Sequence, residues 1–154
     1  MTGTTTGTTA LVATVGGHIA ELVDLADRMP DGDRVWVTTD TAQTRDLLAG
    51  RTVEWVPFIG ERDVGGVVRA IPQALSIFRR HGVDRVISSG AAIALAYLPA
   101  AAATGRTAHY IESSTRVETC SVTGRLLART PGVRCWWQYE PVPERFSYLP
   151  GVYE

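Results

Sequence analysis

Three short stretches of this 154-residue chain carry residue types that can do chemistry at close range. The first is Gly16-Gly17-His18. Paired glycines let backbone N–H groups approach a ligand, and a helix starting there adds the positive end of its dipole, so an anion is favoured. A neutral imidazole at His18 can accept a proton near pH 7, which is the task of a general base. The second stretch, Ser88-Ser89-Gly90, again sets small residues ahead of a helical pattern. Two such turns at neighbouring strand ends form a two-sided phosphate cradle. The third runs from Glu112 to Arg116 through Ser113, Ser114 and Thr115. The planar fork of Arg116 suits phosphate, and Glu112 can orient an acceptor hydroxyl or hold Arg116.

Each stretch also has a purely structural reading. Gly-Gly is ordinary strand-to-helix turn chemistry, with Glu21 as first-turn acid or capping partner. His18 can be satisfied at a helix cap, and Ser-Ser-Gly can serve close helix–sheet packing. Glu112 and Arg116 can pair with each other and touch no ligand. Cys120 and Cys135 lack metal or redox spacing, so reduced thiols are expected, with no metal and no cofactor.

The elements that position these stretches alternate between strand and helix. Residues 9–15 form a first strand, and Ile19, Leu22, Val23, Leu25, Ala26 and Met29 then fall at helical spacing. Residues 34–39 form the second strand, and Asp40 caps a helix that Gly50 closes. A third strand covers 52–58, and a helix over 64–81 ends at Gly82 and kinks at Pro72. Strand four covers 83–90, an Ala-rich helix runs to about Gly105, and strand five begins at Thr107. A short helix over 122–130 and strand six over 133–139 precede a Pro-punctuated tail. Adjacent Trp136 and Trp137 must face opposite sides of that last strand. Repeated β-α units predict a single Rossmann-like α/β domain with a parallel, doubly wound sheet. Residues 1–8 read as a flexible Thr/Gly-rich start and 9–154 as the domain. Ligands of such sheets bind outside the carboxyl ends of the strands, which picks out these three stretches and a fourth, Thr38-Thr39-Asp40.

Composition is that of a globular chain: 45% hydrophobic, 20% charged, net charge −1. No global charge favours nucleic acid. All basic residues are Arg, and between Arg62 and Arg134 ten Arg face Asp63, Asp84, Glu112 and Glu118. That excess suits an anionic ligand or membrane surface, although solvated helix faces give the same pattern. No apolar run reaches the roughly 20 residues of a membrane span. From Gly16 the chain reads G-G-H-I-A-E, without the third glycine of a dinucleotide site.

Taken together, "GGHIAEL", "VISSGAAIALAYLPAA", "YIESSTRVETCSVTGRLL" and "WWQYEP" resemble the acceptor-side subunits of split GT-B glycosyltransferases. These include the membrane-recruiting subunit of the eukaryotic UDP-GlcNAc transferase that extends dolichol-linked oligosaccharide. Bacterial PssD- and CpsF-type exopolysaccharide subunits are similar. The resemblance implies the fold of the N-terminal half of a GT-B enzyme, as in the related lipid-II-forming enzyme MurG. It implies a polyprenyl-diphosphate-linked sugar as acceptor, bound through Gly16, Gly17, Ser89, Gly90, Ser113 and Arg116. It assigns His18 as base and Glu112 or Arg116 as the orienting group. A UDP-sugar would be held by a donor-binding partner in a heteromer active only as a complex. The setting implied is cytoplasmic, peripheral at the inner face of the cell membrane. Two alternatives stay open: a non-catalytic enhancer that recruits the partner, and a self-contained nucleotide-binding Rossmann enzyme using Asp40.

Overall fold

A parallel strand buried on both faces reads as a continuous apolar run, and the first strand does so. β1 (Thr8–Ala13) is buried from its second residue onward. The structure is a computed structural model and describes residues 7–149. After β1 come α1 (Gly17–Asp27), β2 (Arg34–Thr38), α2 (Ala42–Leu47), β3 (Val53–Trp55) and α3 (Val64–His81). Then follow β4 (Val83–Gly90), α4 (Ala94–Ala103), β5 (Thr107–Ile111), α5 (Val122–Ala128), β6 (Val133–Trp137) and β7 (Phe146–Tyr148).

The seven strands form one sheet in the order β3-β2-β1-β4-β5-β6-β7, and every pairing is parallel. The period of two along each strand splits the core between the two faces. Ala10, Val12, Val35 and Val86 pack with Ile77, Phe78, Tyr97 and Leu127 of α3, α4 and α5. Leu11, Ala13, Trp36 and Ile87 pack with Ile19, Leu22 and Ala26 of α1. From β1 the chain first moves outward to β2 and β3, then returns to lay β4 on the other side of β1. β1 and β4 therefore flank the point where the strand order reverses, the place where such sheets hold ligands at their carboxyl edge.

Several expectations are corrected. Asp40 does not cap α2. Thr41 does, in a reciprocal box with Thr44, while the Asp40 carboxylate takes Nε and Nη2 of Arg45. A hydroxyl one residue closer to the helix reaches the N3 amide, which leaves Asp40 to its cation. β1 opens at Thr8, inside the expected flexible start; residues 1–6 of that start lie outside the described residues. The Pro-punctuated tail contains β7, whose Cys135↔Phe146 and Trp137↔Tyr148 register extends the sheet. Prolines at 141 and 143 precede this strand, where a missing N–H costs no ladder bond. β3 is shorter than its apolar run: the Val56 N–H still donates to the Thr38 carbonyl, and Pro57, which has no N–H, ends the pairing. α3 itself runs through Pro72 and ends as expected on Gly82, in the left-handed region at φ 60°.

Candidate functional site

The turns after β1 and β4 are in direct contact. Gly16 is the N-cap of α1 at φ 95°, a conformation that favours glycine, and no side chain caps the helix. A Cβ on Gly17 would meet nothing within 4 Å, so none of the described residues requires glycine there. Gly16 itself is engaged: its N–H donates to Gln43 Oε1 at 2.8 Å, and Gln43 Nε2 donates back to its carbonyl.

His18 is half-buried and clasped by Ser89. Its Nδ1 lies 2.8 Å from the Ser89 carbonyl oxygen, and the Ser89 hydroxyl donates to the His18 carbonyl at 2.8 Å. A carbonyl only accepts, so Nδ1 carries the proton and the neutral ring has its lone pair on Nε2. Among the described residues none hydrogen-bonds Nε2. Gly90, at φ 109°, lies under the ring: a Cβ there would stand 3.3 Å from Cε1 of His18 and 3.4 Å from Nδ1. Ser89 and Gly90 are thus engaged by the protein rather than turned to a ligand. The Gly90 N–H meets Ser88 Oγ, and the next amide, Ala91, meets Thr14 Oγ1. Within the protein, Ser89 and Gly90 support His18.

The loop after β5 is built on two buried carboxylates. Glu112 is 2% exposed. Its Oε1 accepts from Tyr110 Oη and the Ser113 N–H, and its Oε2 accepts from both the N–H and the hydroxyl of Ser121. Ser121 is the N-cap of α5, so Glu112 ties that helix to the sheet. Burial, with the Glu112 charge next in weight, pushes the Tyr110 phenol far above its usual range and keeps it a donor. Gly124 leaves room for this, because a Cβ there would collide with Glu112 Oε2. Four protein donors fill the Glu112 carboxylate, so it has no free edge for an acceptor hydroxyl. No Glu112–Arg116 ion pair occurs among the described residues. Arg116 is exposed in a polar recess with Thr115 and Thr119, and Ser113 Oγ is shared with Thr115 Oγ1.

Two residues of this site were not singled out as functional from the sequence. Glu21 is not a helix-capping acid: it is 6% exposed, and its Oε1 accepts from the Ser114 N–H and Gln138 Nε2, both at 2.7 Å. Gln138 also donates to the Glu112 carbonyl. The signal for Glu21 was its spacing, since three residues after His18 it shares that face of α1. Gln138 follows β6, and its one signal was its place in the WWQYEP stretch. Elsewhere, burial pushes the Cys135 thiol up to about 12 and raises Cys120 as well, so neither is an activated thiolate. Asp40, the acid a ribose would need, is bound to Arg45. Trp137 is buried against Phe146, and Trp136 packs on His109 from the other face. Among the described residues no group of three His, Cys, Asp or Glu could hold a metal ion.

No protein-family model and no curated protein matches the chain. Among solved structures, MurG of Acinetobacter baumannii matches with a TM-score of 0.76 at 17% identity, over 94% of this chain and 46% of the MurG chain. At that identity the likeness shows the fold, a GT-B-like α/β domain. The chain spans a little under half of the structure it matches.

Proposed function

We propose that this chain is the acceptor-binding subunit of a two-component glycosyltransferase. It takes a polyprenyl-diphosphate-linked sugar, and a partner chain holds the UDP-sugar. The observation that carries this reading is the His18–Ser89 clasp, which fixes the tautomer and leaves Nε2 open beside an uncapped helix start. Nε2 removes the proton of the acceptor hydroxyl as its oxygen bonds to the anomeric carbon of the donor sugar. The bond from that carbon to the UDP oxygen breaks, and UDP leaves with the electron pair. The α1 N–H groups at Gly17 face the diphosphate or the developing charge, and Arg116 supplies a charged fork from the opposite loop. Glu112 acts by holding that loop and does not touch the reacting atoms.

The proposed setting is the cytoplasmic membrane surface, held peripherally. Among the described residues no helix is long and apolar enough to cross a membrane. Phe58, in the segment before α3, and Val64 and Val68 of α3 are exposed apolar side chains, with Glu61, Arg62, Asp63 and Arg69 among them in sequence. An exposed apolar patch of this kind suits contact with a bilayer surface. Beneath Phe58 lies a cavity of about 200 Å³ that reaches Ile93 at the start of α4.

The test is sugar transfer by the chain reconstituted with its donor-binding partner. His18→Ala is expected to lower kcat by about 10²–10⁴-fold, the usual weight of a general base, with complex formation intact. Transfer at the wild-type rate in His18→Ala refutes the assignment. Full activity of the partner alone on a soluble acceptor would make this chain a recruiting subunit.

A further inference from the structure

Glu21 places a carboxylate in the interior on a helix whose other buried residues, Ile19, Leu22, Val23 and Ala26, are apolar. Such a group is costly to desolvate and is retained where its hydrogen bonds do something an apolar side chain cannot. Its Oε1 reaches Ser114, 93 positions away in sequence, and Gln138, 117 positions away. Gln138 is 2% exposed and uses its amide nitrogen twice, on Glu21 Oε1 and on the Glu112 carbonyl at 2.9 Å. Its own Oε1 is buried without a partner in the described structure. Turning the amide over would set that oxygen against a carboxylate and a carbonyl, so Gln138 is held for its N–H groups.

These bonds converge on one peptide segment. The Ser113 N–H goes to Glu112 and the Ser114 N–H to Glu21, while Tyr139 Oη donates to the Ser114 carbonyl at 2.6 Å. Ser114 is therefore fixed through both of its backbone polar groups. Two residues further on, Arg116 extends into solvent. The same α1 that carries Glu21 carries His18 one turn earlier, on the same face.

We infer that Glu21 and Gln138 are positioning residues that lock the Glu112–Arg116 loop to α1, so that Arg116 and the α1 N-terminus grip one diphosphate together. The inference rests on the acceptor reading above, and its test separates the two. The probe is inorganic pyrophosphate, titrated into the isotopically labelled chain and followed by NMR at the Gly17 amide and the Arg116 Nε–H. In the wild type both signals move with one Kd. In Glu21→Ala the loop loses its anchor, the Arg116 signal stops following Gly17, and affinity falls about tenfold or more, the equivalent of one good interaction. Glu21→Gln keeps an oxygen for both donors and restores the joint response, which a role for the charge alone would not allow. Gln138→Met, of similar shape but without N–H groups, repeats the defect and serves if Glu21→Ala does not fold. An unchanged Kd with joint shifts in Glu21→Ala and Gln138→Met overturns this inference alone. No response to pyrophosphate in the wild type overturns the acceptor reading and this inference with it.

Discussion

Replacing Glu112 by Gln changes one atom and separates a held carboxylate from a reacting one. Four donors point at Glu112: the Ser113 N–H at 3.2 Å and Tyr110 Oη at 3.0 Å on Oε1, and the Ser121 N–H at 3.1 Å and Ser121 Oγ at 2.9 Å on Oε2. The two hydroxyls can rotate and accept from an amide. The two backbone N–H groups cannot. They lie on different oxygens, so whichever oxygen becomes NH₂, one buried N–H loses its acceptor. That orphaned donor costs about 1–3 kcal/mol, and the surviving bonds lose their charge assistance, for a total of roughly 2–4 kcal/mol. This is a large fraction of the 5–15 kcal/mol, roughly, that holds a domain together. Urea unfolding of the purified chain, followed by tryptophan fluorescence, reads the change as a lower midpoint at constant m. Glu118→Gln, exposed on the same loop, is the control and is expected to stay within about 0.5 kcal/mol of the wild type. A Glu112→Gln variant as stable as that control would refute the placement of the carboxylate among its four donors. The reasoning that removes Glu112 from the reacting atoms would fall with it.

Gly90→Ala puts a side chain at φ 109° and against the His18 ring, so a loss of about 1–3 kcal/mol is expected in the same unfolding assay, with transfer falling further than stability. His109 is neutral in the folded protein because burial lowers its pKa, aided by Arg85 and Arg134. Unfolding lets it bind a proton, so its contribution to stability is full above the unfolded value near 6.5 and is lost as pH falls through that value toward the lower folded one. The melting temperature is expected to drop between pH 7 and 5, and to drop less in His109→Gln, which can still accept from Trp136 Nε1. Equal pH slopes for the two proteins would refute that assignment.

Much of the fold was legible because its causes are local. Apolar runs, helical spacing and Gly82 at a helix end act over a few residues, and the β-α alternation then leaves few ways to arrange a sheet. The tail strand β7 was not legible, since three residues among prolines become a strand only because β6 offers an unpaired edge. The glycine turns and the placing of His18 at a helix start were readable because small residues after strands are a local pattern too.

What each side chain does at that site was decided in three dimensions. Ser89 reads as a phosphate ligand until β4 is laid beside β1 and its carbonyl meets His18. Glu112 reads as a group that orients an acceptor hydroxyl until α5 closes over it and brings the N–H and hydroxyl of Ser121. Glu21 reads as a first-turn acid until the ends of β5 and β6 bring Ser114 and Gln138 to it. Sequence by itself determined which groups stand at the carboxyl edge, because strand order and period are set by short-range patterns. Tertiary structure alone decided which are free and which are held, because a hydrogen bond spanning 71, 93 or 117 residues exists only once the sheet has assembled.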